Sequence, residues 1–194
     1  SVFNYGHVGE TLLRRYIITQ KLGRSRYSTT WLARDTKYNT HVAIKIQKSN
    51  QNYLDVKILQ EIEKHKNDIE WQESLKKYWK DNPNKLNKNN ENQIVQLLNI
   101  FIHHTSDDTY LCMVFEVMGL PLNEIIAKNS QTTNKGIPIP LVRIIAKQIL
   151  IGLDYLHRIC GIIHTDINPD NIVVCLTKKE LNEMQLKREN IINK

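Results

Sequence analysis

The segment His164-Thr165-Asp166-Ile167-Asn168-Pro169-Asp170-Asn171 concentrates more reactive side chains than any other stretch of the chain. Two short apolar runs flank it, Ile162-Ile163 and Ile172-Val173-Val174. Both read as strands that close a tight polar loop. Asp166 and Asn171 stand five positions apart. At that spacing a carboxylate and a carboxamide can converge, one to orient a hydroxyl nucleophile and the other to ligate Mg2+. An ordinary Asn/Asp/Pro turn has the same composition, so the loop alone leaves both readings open. Three further features bear on the choice. Lys45 closes the run Val42-Ala43-Ile44-Lys45, Glu61 lies in a helical stretch after it, and Leu22-Gly23 opens a turn before it. Taken singly, each also fits a solvated lysine, an exposed helix face or a plain hairpin.

These residues need a scaffold, and the sequence predicts one. Tyr16-Ile17-Ile18-Thr19, Trp31-Leu32-Ala33 and His41-Val42-Ala43-Ile44-Lys45-Ile46 are rich in β-branched and aromatic residues and read as three strands. Short polar connections, Gly23 to Ser28 and Thr36 to Thr40, make them an antiparallel meander. Leu54, Ile58, Leu59 and Ile62 recur at helical spacing. A polar block from Asn67 to Gln93 carries an apolar stripe, Ile69, Trp71, Leu75, Tyr78 and Trp79. It predicts a short amphipathic helix, ended by Pro83 and an exposed Asn/Lys-rich loop. Two more strands follow, Ile94 to His103 and Tyr110 to Glu116. After Gly119 and Pro121 the pattern turns helical. Pro140 stands near a helix start, Leu141, Val142, Ile145, Ile149, Leu153 and Leu156 form its apolar face, and Cys160-Gly161 ends it. Residues 1–15 read as a loosely held arm, and residues 177–194 as a charged, helix-prone tail.

Composition narrows the function classes. The chain has 194 residues, 41% hydrophobic and 24% charged, which is ordinary globular composition and excludes wholesale disorder. Three cysteines without a CxxC pair argue against a disulfide scaffold or a cysteine zinc site, and they suit a reducing compartment. No apolar run approaches the ~20 residues that span a bilayer. The N-terminal stretch lacks the build of a secretion signal, so the chain reads as intracellular and soluble. The net charge of +7 fits a solvated surface. The lysines scatter among asparagines with no recognition motif, so direct nucleic-acid binding is not expected.

A Gly-bearing hairpin, a strand lysine, a helix glutamate and an H-x-D-x-x-x-x-N loop, in that order, are the parts of a protein kinase. The sequence resembles the eukaryotic protein kinases, and among them the SR-protein kinases. The resemblance runs from about Tyr16 to Val174. It rests on the loop Ile163-His164-Thr165-Asp166-Ile167, the hinge Cys112-Met113-Val114-Phe115-Glu116-Val117-Met118-Gly119, the helix end Gly152-Leu153-Asp154-Tyr155-Leu156-His157, and Val95-Gln96-Leu97-Leu98. The CLK kinases share the His-Thr-Asp loop and fit the hinge and helix less well.

The resemblance implies an α+β, bilobal kinase-like fold. Its smaller lobe, 16–118, would be a five-stranded antiparallel sheet with one helix and an insert at 67–93, a decoration on that lobe. Residues 119–176 would begin a mainly helical larger lobe, and 177–194 a spacer. ATP and Mg2+ are the implied cofactors. Leu22, Gly23, Ser25, Ser28 and Thr30 would cover the nucleotide, with Ala43 lining the pocket. Lys45 would hold its α- and β-phosphates, paired with Glu61. Phe115 would gate the back of the pocket, and Glu116 and Met118 would meet adenine through their backbones. Asp166 would take or orient the substrate hydroxyl proton, Asn168 would stand beside it, and Asn171 would ligate Mg2+. Thr165 replaces the usual arginine, so control by a phosphorylated activation loop is not expected. The implied activity is phosphoryl transfer to serines of Arg/Ser-rich proteins. The implied setting is a monomer in cytoplasm and nucleus, bound to neither membrane nor nucleic acid.

Three departures stand against this. Ser25 replaces the second glycine of the glycine-rich loop, and its side chain is expected to hold the backbone back from the phosphates. Asn168 replaces a lysine that meets the γ-phosphate, and losing one such donor can cost ~10²–10³ in rate. No Asp-Phe-Gly follows Asn171, so the 194-residue chain is expected to be an inactive part of a kinase. A pseudokinase or scaffold is the alternative reading that these departures support.

Overall fold

The computed structural model describes residues 5–49, 53–81, 93–133, 136–176 and 179–180. The expected Asn/Lys-rich loop after Pro83 and most of the expected spacer lie outside them. The chain divides into two compact units, 1–50 with 98–122 and 172–194, and 51–97 with 123–171.

The first unit is built on the predicted meander. Strands β2 (Tyr16–Arg24), β3 (Ser28–Asp35) and β4 (Thr40–Lys48) pair antiparallel, and β4 pairs in turn with β6 (Thr109–Phe115). With β5 (Leu97–His104) and a short edge strand β1 (Thr11–Leu12), the sheet order is β1-β2-β3-β4-β6-β5. The five expected strands are thus joined by a sixth. Alternation sorts their side chains. Ile18, Trp31, Ala33, Val42, Ile44, Ile46, Cys112 and Val114 form one buried cluster.

The N-terminal residues are held more firmly than the sequence predicts. Tyr5 stacks on Tyr110 with ring centroids 3.9 Å apart, and its carbonyl accepts the Trp31 indole N–H at 2.8 Å. Leu12 is buried in the same cluster. Arg15 forms a two-pronged bond to Asp35, at 2.8 and 2.7 Å, next to the β3–β4 turn. The arm supplies apolar and charged partners to the sheet across long sequence separations.

Strand β7 (Met118–Pro121) pairs antiparallel with β8 (Val173–Cys175). A Cβ on Gly119 would stand 3.0 Å from the Val174 carbonyl oxygen, tighter than ordinary contact, so glycine suits this close pairing. The expected strand at Ile162-Ile163 does not form. Gly161 takes φ +67, and Ile162 N–H donates to the Leu156 carbonyl at 2.8 Å, so the run caps a helix instead.

The second unit is helical: α1 (Leu54–Lys64), α2 (Ile69–Tyr78), α3 (Leu122–Thr133) and α4 (Ile139–Asp154), the last continued by a π-turn at Tyr155–Ile159. The sequence expects the α2 stripe to pack onto the smaller lobe, and the structure buries it among helices. Trp71, Leu75 and Trp79 are buried with Ile62 of α1 and Ile151, Tyr155 and Leu156 of α4 and its π-turn. Trp71 and Tyr155 lie 4.8 Å apart, and the Tyr155 hydroxyl donates to the Ile62 carbonyl. Polar contacts surround this core. Tyr78 donates to Asp154 at 2.7 Å, Lys147 to the Tyr78 carbonyl at 2.7 Å, and Arg158 to Ser74 at 2.9 Å and to Asp154 and Glu70. The stripe is amphipathic because it has a core to join. Other apolar positions on α4, Ile139, Leu141, Val142 and Leu150, stay exposed.

Candidate active site

In the sheet unit, strand register collects the expected nucleotide residues. Lys45 stands opposite Thr30 on one side and Met113 on the other. Ala43 likewise stands between Leu32 and Phe115, and Gly23 opposite Thr30. Directly opposed residues share a face. Gly23, Thr30, Leu32, Ala43, Lys45, Met113 and Phe115 therefore line the face of the sheet away from its buried cluster. Ser28 has the same parity on β3 and is buried opposite Gln47. Leu22 lies beside Gly23 near the end of β2, and Ser25 stands at the exposed tip of the turn. Glu116 and Met118 follow Phe115 where the chain passes from β6 to β7.

This face fits a nucleotide. Space beside Gly23 is open, since a Cβ there would meet nothing within 4 Å. Among the described residues no hydrogen bond or ion pair engages the Lys45 ammonium, so a cation stands uncommitted on that face. Ala43 and Phe115 supply an apolar lining for a base.

In the second unit, the loop brings together Asp166, Asn168 and Asn171. The Asn168 amide donates to Asp166 Oδ1 at 2.8 Å, and the Asn171 amide to Oδ2 at 2.8 Å and to the Asp166 carbonyl at 3.0 Å. Asn168 also accepts, through Oδ1, from Asp170 N–H at 2.9 Å and Asn171 N–H at 3.2 Å. This is an Asx-type turn, the habit of asparagine in tight loops. The loop is tied back to α3, where Asn123 N–H donates to the Pro169 carbonyl at 3.2 Å and the Asn123 amide to Asp170. Thr165 takes φ 65, a strained conformation for a β-branched residue. Asn171 spends its amide nitrogen on Asp166, while its carbonyl oxygen has no hydrogen bond among the described residues. A carboxamide oxygen beside a carboxylate suits a hard divalent cation.

Glu61 is engaged elsewhere in this unit. Its carboxylate meets His65 Nε2 at 2.8 Å and Lys64 at 3.2 Å, and His65 Nδ1 meets Asp68 at 2.6 Å. Bonds from His65 and then Lys64 lower the Glu61 carboxyl below its usual range. Bonds to Asp68 and then Glu61 raise the His65 imidazole. Sequence reasoning missed Asn123, since a contact across 47 positions leaves no local signal. It also missed the role of Asn168 as the residue that shapes the loop. There the signal was present, in an Asn two before an Asp and three before an Asn.

The sequence model of the protein kinase domain matches residues 16–187. The chain belongs to the protein kinase family. Within that family it is similar to SR-protein kinases. It is 35% identical to protein kinase dsk1 of Schizosaccharomyces pombe, over 94% of this chain and 32% of the relative. It is 39% identical to serine/threonine-protein kinase SKY1 of Saccharomyces cerevisiae, over 82% and 20%. It is 34% identical to SRSF protein kinase 3 of Homo sapiens, over 87% and 27%. The chain thus spans about a third or less of these relatives. A solved kinase-domain structure superposes with a TM-score of 0.66 at 23% identity, over 89% of this chain and 43% of that one, which shows the fold. Kinase domains use ATP and a divalent metal.

Proposed function

We propose that the protein is a serine/threonine kinase that moves the γ-phosphate of ATP, with Mg2+, to serines of Arg/Ser-rich proteins. The observation that carries this reading is the grip of two carboxamides on Asp166. An aspartate held through both oxygens keeps a fixed lone-pair direction, which orients a substrate hydroxyl and receives its proton. Asn168, in place of a lysine, contributes by aiming Asp166 rather than by adding charge. Lys45 would bind and orient the α- and β-phosphates. Glu116 and Met118 would hold adenine through their backbones, Leu22, Thr30 and Ala43 would enclose it, and Phe115 would close the rear. Bound Mg2+ would neutralise phosphate charge as it develops, with the Asn171 carbonyl oxygen as one ligand. Glu61 would pair with Lys45 through Oε2, since His65 and Lys64 both meet its Oε1.

The substrate class rests on the SR-protein kinase relatives, one of which is named for the SRSF proteins. The same reading places the protein as a monomer in cytoplasm and nucleus, acting on protein. The test uses the intact protein and an Arg/Ser-repeat peptide. Lys45→Met and Asp166→Ala should each abolish transfer, and unchanged transfer in both would sink the mechanism.

A further inference from the structure

The turn between β2 and β3 is closed by a side chain as well as by backbone. Ser25 N–H donates to the Ser28 carbonyl at 2.8 Å. Within that closure, Ser25 Oγ accepts from Tyr27 N–H at 3.3 Å and Ser28 N–H at 3.1 Å, and it shares a bond of 2.8 Å with the Ser28 hydroxyl. Backbone N–H groups in such a glycine-bearing turn are the donors that cradle phosphate oxygens. At this tip two of them already have an oxygen.

We propose that Ser25 Oγ is a built-in stand-in for a nucleotide phosphate, which must displace it to reach the Tyr27 and Ser28 amides. This inference rests on the reading of the sheet face as a nucleotide site. The physical case is one of exchange. Without a ligand, the hydroxyl satisfies an amide at the buried base of the turn, so its position there is stabilising. An anionic oxygen makes the stronger, charge-assisted bond, so phosphate can win the exchange. It wins by less than at a glycine, which offers no competitor. Ser25 is exposed, so rotation about its χ1 can swing the hydroxyl out without clash. Arg26, over the Tyr27 ring at 5.2 Å, keeps a cation at the tip throughout. The consequence is specific: Ser25 weakens the hold on phosphates and leaves the hold on the base unchanged.

Equilibrium titration of the intact protein with two probes tests this. One is β,γ-imido ATP with Mg2+, and the other is adenosine, which has no phosphate. Ser25→Ala should tighten the imido analogue by roughly three- to tenfold, the worth of one neutral hydrogen bond. Adenosine affinity should stay the same. Ser25→Thr, which keeps the hydroxyl, should bind the analogue as the wild type does. Unchanged or weaker analogue binding by Ser25→Ala would overturn the proposal, and so would a change shared by adenosine. If the wild type binds neither probe, the nucleotide reading itself fails, and this inference with it.

Discussion

Asn168 does different work from the lysine it replaces. It spends its amide on Asp166 and its carbonyl on two backbone N–H groups, so in the proposed reaction it would act through the carboxylate as a positioning residue. Asn168→Ala should therefore lower kcat about 10- to 100-fold, the cost of a small misplacement, with peptide KM nearly unchanged. Steady-state kinetics on the Arg/Ser peptide separates the two, and a change confined to KM would rule this role out. The Arg15–Asp35 pair makes a second residue-level case. Asp35 is almost wholly buried, and the Arg15 guanidinium is the main cause of its lowered pKa. A carboxyl lowered in the folded state stabilises above its unfolded pKa and loses that contribution as pH falls through the folded value. Arg15→Ala should cost about 2–3 kcal/mol in urea unfolding at neutral pH. That lies below the fully buried range, because Arg15 remains partly in water. The deficit should shrink as the medium is made strongly acidic. Much of the motif loop was legible in sequence because the bonds among Asp166, Asn168, Asp170 and Asn171 span five residues or fewer. The Ser25 bonds were half legible. Sequence showed a side chain where glycine is usual, but not that its oxygen would take the turn's own amides.

At the scale of elements, α2 is where local pattern ran out. Its stripe of Trp71, Leu75 and Trp79 announced a buried face, but amphipathic periodicity names no partner. The partners, Ile62, Ile151 and Tyr155, lie on α1, α4 and its π-turn. Trp71→Ala should cost about 3–5 kcal/mol, the usual cost of deleting a buried large aromatic. Loss of ellipticity on heating or in urea would record it, and a cost under ~1 kcal/mol would mean that α2 is not anchored there. The junction of α1 and α2 should also sense pH. His65 has a raised pKa, so its contribution is fully present below the unfolded imidazole value and is lost as pH rises through the folded one. Glu61 has a lowered pKa, so its contribution is present above its unfolded value and is lost as pH falls through the folded one. The junction is firmest between these limits. The Tm difference between wild type and His65→Gln should be largest in mildly acidic buffer and shrink as pH rises through the raised imidazole value. A constant difference would show that the imidazolium contributes nothing.

Over the whole molecule, alternation and turn chemistry made the sheet legible, while pairing at a distance did not declare itself. The two-residue strand β1 is too short to carry a pattern. The Ile162-Ile163 run has strand composition, yet Gly161 and the Leu156 carbonyl use it as a helix cap. The three cysteines give a global check on packing. Burial pushes the Cys112 thiol up to about 12, Cys160 is half-buried with its pKa also raised, and Cys175 is exposed. With Ellman's reagent, Cys175 should react first, Cys160 more slowly, and Cys112 at the rate of unfolding, because thiolate fraction and access both set the rate. Prompt reaction of Cys112 in the native protein would contradict the packing of β6.

The placement of the tryptophans has a spectroscopic consequence. Trp31 lies in the core of the sheet unit, its indole N–H on the Tyr5 carbonyl. Trp71 and Trp79 lie in the helical unit, one beside Tyr155 and the other under the Lys147 ammonium. No other tryptophan occurs in the chain. Emission from a Trp31→Phe variant therefore reports on the helices alone. The double variant Trp71→Phe, Trp79→Phe leaves a single emitter within the sheet. The protein carries its own pair of dyes, one set for each unit, and melting either unit can be watched by colour without any label.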